Sequence, residues 1–335
     1  MRGRVTRLRV HSNPSMSAPV PDLSALIQRL QQASRILLIT HVSPDSDAIG
    51  SVLGMAHALR TLGKAVTPAC ADGIRGRFDS LPGHTEVVTQ ASDPFDLAVA
   101  LDCGDELRLG SLWTNRPDPK PLLINIDHHI SNTRFGQINW IDPSATSTAE
   151  MVLQLVDHLG VPLSQEIATC LLYGIVGDTL GFRTPNTTPR QLQYAERCMA
   201  AGASLYESID QQFNRRSQAL VCLWGQALTA MKIKDRIAYT AISKAMRDAC
   251  GMGLSDLNLS SFLVSMNEVD RAAVLVEKDD GRIEISLRAK RGHDVSRPAV
   301  ALGGGGHPLA AGATIDGPLD AAARQVLLAL KQHTP

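Results

Sequence analysis

Residues 35–47 read RILLITHVSPDSD. The mostly apolar run Arg35–Thr40 passes without a spacer into one imidazole and two carboxylates, His41, Asp45 and Asp47. A short apolar run of this kind marks a strand buried on both faces. The pattern recurs twice. Asp96–Leu101 (DLAVAL) stops at Asp102, and Leu122–Ile126 (LLINI) stops at Asp127, His128 and His129. Between these runs, Asp47–Leu62 has apolar residues at helical spacing and halts at Gly63, a C-cap. Val66–Ala71 reads as another strand. Strands alternating with helices predict a parallel α/β sheet. Ligands bind beyond the carboxyl ends of such strands, so the three polar clusters are expected to meet at one edge.

Further along, Ser147–Glu150 (STAE) fits a capping box that opens a helix through about Leu159. Gln165–Gly177 is a second helix pattern and delivers Asp178 at its end. Pro189–Ala201 is a third. The pattern changes after a polar, helix-like stretch. Ala238–Ile242, Ala272–Glu277 and Ile283–Leu287 alternate like strands. A helix over Val295–Leu302, a glycine run and a final helix at Leu319–Gln332 follow. The expected organisation is a catalytic domain over 21–204, a helical connector over 205–234 and a smaller α/β domain over 235–335. An active-site cleft is expected between the two domains. Residues 1–20 are arginine-rich, with no acid before Asp22. They read as a disordered tail or a misplaced start, with Met16 as the true one; a transit peptide is the alternative.

Composition narrows the function. Lysine plus arginine equals aspartate plus glutamate, 33 each, so no global basic field announces a long nucleic-acid partner. A short anionic substrate in a local basic pocket remains compatible. The 44% hydrophobic content supports a folded core. No apolar run approaches a membrane span. Six scattered cysteines without a CxxC pair read as reduced, mostly buried thiols of a cytosolic protein.

Histidine and carboxylates without cysteine suit hard or borderline cations. For the first cluster the plain alternative is an N-cap, with Asp45 or Asp47 simply opening the next helix. Asp102, in a turn-like DCGD string, would by itself be a strand-ending turn. Two consecutive histidines after an acid are harder to explain by packing. Their side chains diverge, so one ring can bind metal while the other faces substrate, and Asp127 can orient a ring. Asp178 closes an apolar helix between glycines, where capping is a weak explanation. Together, four segments supply two histidines and four aspartates, a count that suits two metal ions with one shared carboxylate.

The ordered set His41, Asp45, Asp47, Asp102, Asp127-His128-His129 and Asp178 resembles the DHH phosphoesterase superfamily. The strings DHHISN, IDPSATSTAE and GDTLGFRTPNTTP are similar to its bacterial oligoribonuclease and pAp-phosphatase branch. The resemblance covers nearly the whole chain. It implies one metal ion held by His41, Asp45 and Asp102, and another held by Asp47, Asp102, His128 and Asp178. Manganese is the expected ion, with magnesium or cobalt as substitutes. His129 would contact the scissile phosphate, Asp127 would support the shell, and Asn132 would bind substrate. Leu180 departs from the glycine usual in relatives.

The second domain carries Gly303, Gly304, Gly305, Gly306 and His307, with Arg288 upstream. Glycines allow close backbone approach and present N–H groups to an anion, and arginine suits phosphate. A flexible loop is the plain alternative. The resemblance makes this the DHH-associated substrate-binding domain. His57, His84, His158 and His293 read as structural or surface residues, and Arg183 as a possible substrate contact.

The expected activity is two-metal hydrolysis of short RNA or DNA oligonucleotides to mononucleotides, or of 3′-phosphoadenosine 5′-phosphate (pAp) to AMP and phosphate. A homodimer is expected by family analogy. Rival readings are a cyclic-di-AMP or pApA phosphodiesterase and, from another class, a non-catalytic nucleotide sensor.

Overall fold

Five strands form a parallel sheet in the order β2-β1-β3-β4-β5: β1 (Arg35–Ile39), β2 (Ala65–Ala69), β3 (Leu97–Leu101), β4 (Leu122–Asp127) and β5 (Ile138–Ile141). This computed structural model describes residues 23–332 other than 75, 93 and 254–257. The tail at 1–20 and the choice of start lie outside the described residues. The chain divides into two compact units, with the boundary between Arg215 and Arg216.

In the first unit the helices are α1 (Ser24–Gln32), α2 (Ser46–Thr61), α3 (Ser111–Thr114), α4 (Thr148–His158), α5 (Gln165–Asp178), α6 (Pro189–Ala200) and α7 (Leu205–Ile209). All five residues of β3 are buried, as are the last five of β4, because helices or loops cover both sheet faces. Strand β5 escapes sequence reading because it is four residues long and half-exposed. The strand order reverses between β1 and β3, and this switch point opens a crevice at their carboxyl ends. His41 and Asp102 follow those two strands.

Helices α2 and α5 pack at backbone contact. A Cβ on Gly50 would lie 2.5 Å from Cys170 O and 2.9 Å from Gly174 N, and one on Gly174 would lie 3.4 Å from Asp47 Cα. This approach brings the end of α5, and with it Asp178, beside the first turn of α2. The expected capping box at Ser147 forms by half. Ser147 accepts from Glu150 N–H, but the Glu150 carboxylate accepts from Thr146 N (3.1 Å) and Thr146 Oγ1 (2.9 Å). It also takes Gln191 Nε2 at 2.8 Å and Arg190 at 2.6 Å. A buried carboxylate takes the strongest donors in reach, and here α6 supplies them.

In the second unit, β6 (Lys232–Lys234), β7 (Ile237–Ile242), β8 (Arg271–Glu277), β9 (Ile283–Ala289), β10 (Gly305–His307) and β11 (Ala310–Ile315) form a mixed sheet in the order β10-β11-β9-β8-β7-β6. Only β7 and β8 run parallel. Its helices are α8 (Gln218–Thr229), α9 (Lys244–Ala249), α10 (Leu259–Val264), α11 (Ser296–Ala301) and α12 (Leu319–Gln332). Residues alternate along β7: Ile237 packs with α11 and α12, Ala238 and Ile242 with α8 and α10. The stretch 205–234, read as one connector, is divided between the units. Residues 205–215 end the first unit with α7 and a π-helix (Asp210–Asn214), while α8 buries Leu223 and Ala227 in the second.

One expectation is corrected. Cys70, Cys103, Cys170 and Cys198 are buried thiols, but Cys222 and Cys250 form a disulfide. Helices α8 and α9 pack side by side and bring these two Cα atoms to 5.8 Å, within disulfide reach. A separation of 28 residues with no motif hides the pair in the sequence.

Candidate metal centre

Each ligand candidate sits where an element begins or ends. His41 follows β1, and Asp45 is the N-cap of α2. Its Oδ1 accepts from Asp47 N (3.1 Å) and Ala48 N (3.0 Å). The capping alternative is thus realised, and it orients Asp45 without consuming Oδ2. Asp47 is fully buried in the first turn of α2. Asp102 follows β3 with φ 58°, a left-handed backbone uncommon for non-glycine residues but one in which aspartate is enriched. Asp127 ends β4, and Asp178 ends α5.

These segments converge. His41, Asp45 and Asp102 offer ligand atoms within 4.8 Å of one another, and so do Asp47, His128 and Asp178. Asp102 lies between the groups. Its Oδ2 is 3.7 Å from His41 Nε2, and its Oδ1 is 3.6 Å from His128 Nε2. His128 Nε2 also lies 3.1 Å from Asp178 and 3.9 Å from Asp47.

Burial first, and charge crowding after it, set the proton affinity of these groups. Burial, with the nearby Asp102 and Asp178 charges, pushes Asp47 well above the usual carboxylate range. Burial also lifts Asp178 to about 6, although His128 opposes it. Burial would raise Asp102 too, but His41, His128 and His129 hold it low. Asp102 Oδ2 is buried and has no hydrogen-bond partner. An anionic oxygen in that position calls for a cation. Four carboxylates and two imidazoles around it fit divalent metal ions.

Behind the ligands lies a layer that orients them. His41 Nδ1 is 2.8 Å from Val42 O and 2.9 Å from Arg108 Nη2, and its Nε2 faces Asp102. Asp127 Oδ1 accepts from His129 Nδ1 (2.7 Å) and His128 N (2.9 Å), and its Oδ2 accepts from Asn132 Nδ2 at 2.6 Å. Asp127 thus accepts from three donors, and it also lies within ligand distance of Asp102, His128 and His129. Asn132, expected at the substrate, points inward instead. Its amide also donates to Asn125 Oδ1 (2.8 Å) and Cys103 O (3.1 Å), and its oxygen accepts from Arg134 N at 2.6 Å. The short DHHISN loop folds back on β4, and the unfilled polar groups of Asp127 and Asn125 draw the amide in.

Three neighbours were not singled out from the sequence: Arg108, with Nη2 2.9 Å from His41 Nδ1, and the buried Asn125 and Thr148. Only Thr148 had a signal, as the first helical residue after the Ser147 cap.

In the second unit, His307 pairs with Ala310 and Ala310 pairs with Arg288, so the two expected substrate residues share one register line two strands apart. Cross-strand partners project from the same sheet face. Arg288 donates from Nε to Ser261 Oγ at 3.2 Å. The glycine run leads into β10 and lies close against β11. A Cβ on Gly304 would overlap Gly312 O, and Gly306, at φ 139°, would bring one to 2.5 Å from Ala311 Cα. Gly303 has φ 78°, while a Cβ on Gly305 would meet nothing within 4 Å.

Residues 35–175 match the DHH family N-terminal domain, and residues 237–332 match the DHHA1 domain. The bifunctional oligoribonuclease and PAP phosphatase NrnA of Thermus thermophilus is 36% identical over 306 residues, covering 89% of this chain and 90% of that protein. The chain belongs to the DHH family. Within it the chain is of the NrnA type; the NrnA of Bacillus subtilis is 29% identical over 296 residues, covering 87% of this chain and 92% of its own. An exopolyphosphatase-related protein from Bacteroides fragilis shares the fold, with a TM-score of 0.84 at 24% identity over 92% of this chain and 95% of that one. Among the described residues no helix is long and apolar enough to cross a membrane.

Proposed function

We propose that this DHH-family phosphoesterase hydrolyses short oligonucleotides to mononucleotides, and pAp to AMP and phosphate, with two divalent ions, manganese first among them. The supporting observation is the placement of Asp102, one oxygen toward His41 and the other toward His128. His41, Asp45 and Asp102 would hold one ion, and Asp47, Asp102, His128 and Asp178 the other. Bound there, the ions would supply Lewis-acid charge for phosphoryl transfer and an activated water.

The chain's own groups do the rest. Burial would lower the His129 pKa, but the hydrogen bond to Asp127 and the Asp102 charge raise it. Donation from Nδ1 to Asp127 turns Nε2 outward, where a proton can be offered to a phosphoryl or leaving oxygen. Arg288, His307 and the glycine run would recognise a terminal phosphate through charge-assisted hydrogen bonds. Oligonucleotide and pAp substrates are favoured because relatives covering nearly all of the chain carry those names.

The test is manganese-dependent hydrolysis of pAp, pApA and a short RNA series, beside Asp102→Ala. Cleavage of pAp and short RNA by wild type, with a dead Asp102→Ala variant, is expected. Cleavage of pApA alone would move the assignment to a dinucleotide phosphodiesterase. Metal-loaded protein that binds nucleotide and turns over none of them would make it a sensor.

A further inference from the structure

The first turn of α4 contacts two of the metal-ligand carboxylates. The N–H groups in the first turn of a helix have no partner inside it. In α4 three of them are accounted for. Thr148 N donates to Asp47 Oδ2 at 2.5 Å, Ala149 N donates to Asp47 Oδ1 at 2.8 Å, and Glu150 N donates to Ser147 Oγ at 3.1 Å. Asp47 is thus gripped by both oxygens at the positive end of an 11-residue helix, about a hundred residues away in sequence. Thr148 goes further. Its Oγ1 donates to Asp102 Oδ1 at 3.1 Å, the oxygen that faces His128. Thr148, Asp47 and Asp102 are each buried, so water cannot replace these bonds.

We propose that Thr148 is a positioning residue that ties Asp47 to Asp102 and thereby sets the geometry of the ion site formed by Asp47, Asp102, His128 and Asp178. The inference rests on the two-metal reading above. The backbone N–H fixes Asp47 whatever the side chain, whereas the hydrogen bond to Asp102 Oδ1 depends on the hydroxyl. Removing the hydroxyl leaves Asp47 in place and lets the shared carboxylate turn. The ion on the His128 side, whose Asp102 oxygen loses its hydroxyl partner, should then bind more weakly, and the ion at His41, Asp45 and Asp102, which shares that carboxylate, should weaken less.

Manganese titration calorimetry on metal-stripped wild type, Thr148→Val, Thr148→Ser and Thr148→Ala tests this without an activity assay. Thr148→Val keeps the shape and loses the hydroxyl; Thr148→Ser keeps the hydroxyl. Wild type and Thr148→Ser are expected to bind two ions alike. Thr148→Val and Thr148→Ala are expected to lose about 10- to 100-fold in affinity for one ion, the range for removing a group behind a metal ligand, and less for the other. If Thr148→Val does not fold, the Ser-to-Ala contrast carries the comparison. Equal affinities for both ions in the serine and alanine variants overturn the inference and leave the two-metal reading standing. Wild type that binds fewer than two ions overturns that reading and the inference with it.

Discussion

Asp127 Oδ1 lies 2.7 Å from His129 Nδ1, and the same carboxylate accepts from His128 N–H and Asn132 Nδ2. Three donors thus converge on one buried acid. Asp127→Asn would set an NH2 group against at least one of them, and a lost buried hydrogen bond costs about 1–3 kcal/mol. The His129 ring would lose its charged anchor. A lower melting temperature and a fall in kcat of roughly 100-fold are expected, with KM changed less. A Michaelis profile beside a melting curve checks both; an unchanged kcat would remove His129 from the chemistry.

Metal-free protein should weaken as pH rises. Asp47, Asp178, His128 and His129 all have raised pKa values, so each binds its proton more tightly folded than unfolded. For such groups stability is complete below the unfolded pKa, about 4 for the acids and about 6.5 for the imidazoles. It is lost as pH climbs through the folded values, about 6 for Asp178 and above 6.5 for the histidines. Asp102 has the opposite sign, but its window lies below that of an ordinary acid. Protein in EDTA should therefore melt lower at pH 8 than at pH 6. Manganese should close that gap, because metal ions bind the deprotonated ligands. A melting temperature in EDTA that rises over this interval would contradict the crowded-carboxylate picture.

Gly174 makes room for the site. A Cβ there would lie 2.6 Å from Ala149 Cβ and 2.9 Å from Asp47 Oδ1. Gly174→Ala is expected to destabilise the first unit by about 1–3 kcal/mol through overpacking and to weaken manganese binding together with it. Calorimetric titration and denaturant unfolding would show the paired loss; a stability loss without a binding loss would limit Gly174 to packing.

Leu180 takes a backbone conformation that favours glycine. It has φ 50° and is 46% exposed, so its side chain gains little from burial while its backbone is left-handed. Glycine adopts that conformation without a Cβ clash, an advantage of about 1 kcal/mol. Leu180→Gly should raise the unfolding midpoint slightly. A lowered midpoint would mean that the leucine makes contacts worth more than the strain.

The Cys222–Cys250 bridge closes a loop of 28 residues within the second unit. In the chain-entropy picture such a loop contributes roughly 3.6 kcal/mol. Cys222→Ser, or mild reduction, should lower the stability of that unit and leave manganese binding unchanged, since every ligand candidate lies in the first. A mass shift on thiol labelling before and after reduction would confirm the bond.

Much of this protein is local in its sequence. Apolar runs ending at His41, Asp102 and Asp127, and the helix ending at Asp178, mark buried strands and a helix whose ends carry chemistry, because burial on both faces leaves ionisable groups only at the exits. The two-unit organisation and the strands β7, β8 and β9 follow from the same kind of periodicity. Other features depend on atoms brought together from afar, and composition does not encode such meetings. Asn132 resembles a substrate ligand in its string, yet Asp127 and Asn125 turn it inward. Thr148 looks like an ordinary helix start, yet α4 lands on Asp47 and Asp102. Cys222 and Cys250 look like unrelated thiols until α8 and α9 pack. The sequence alone determined the strands and helices that carry the site and which residues could bear charge at their ends. Only the tertiary structure decided which of those residues face each other, because hydrogen bonds and ion contacts act over a few ångströms in space, whatever the distance along the chain.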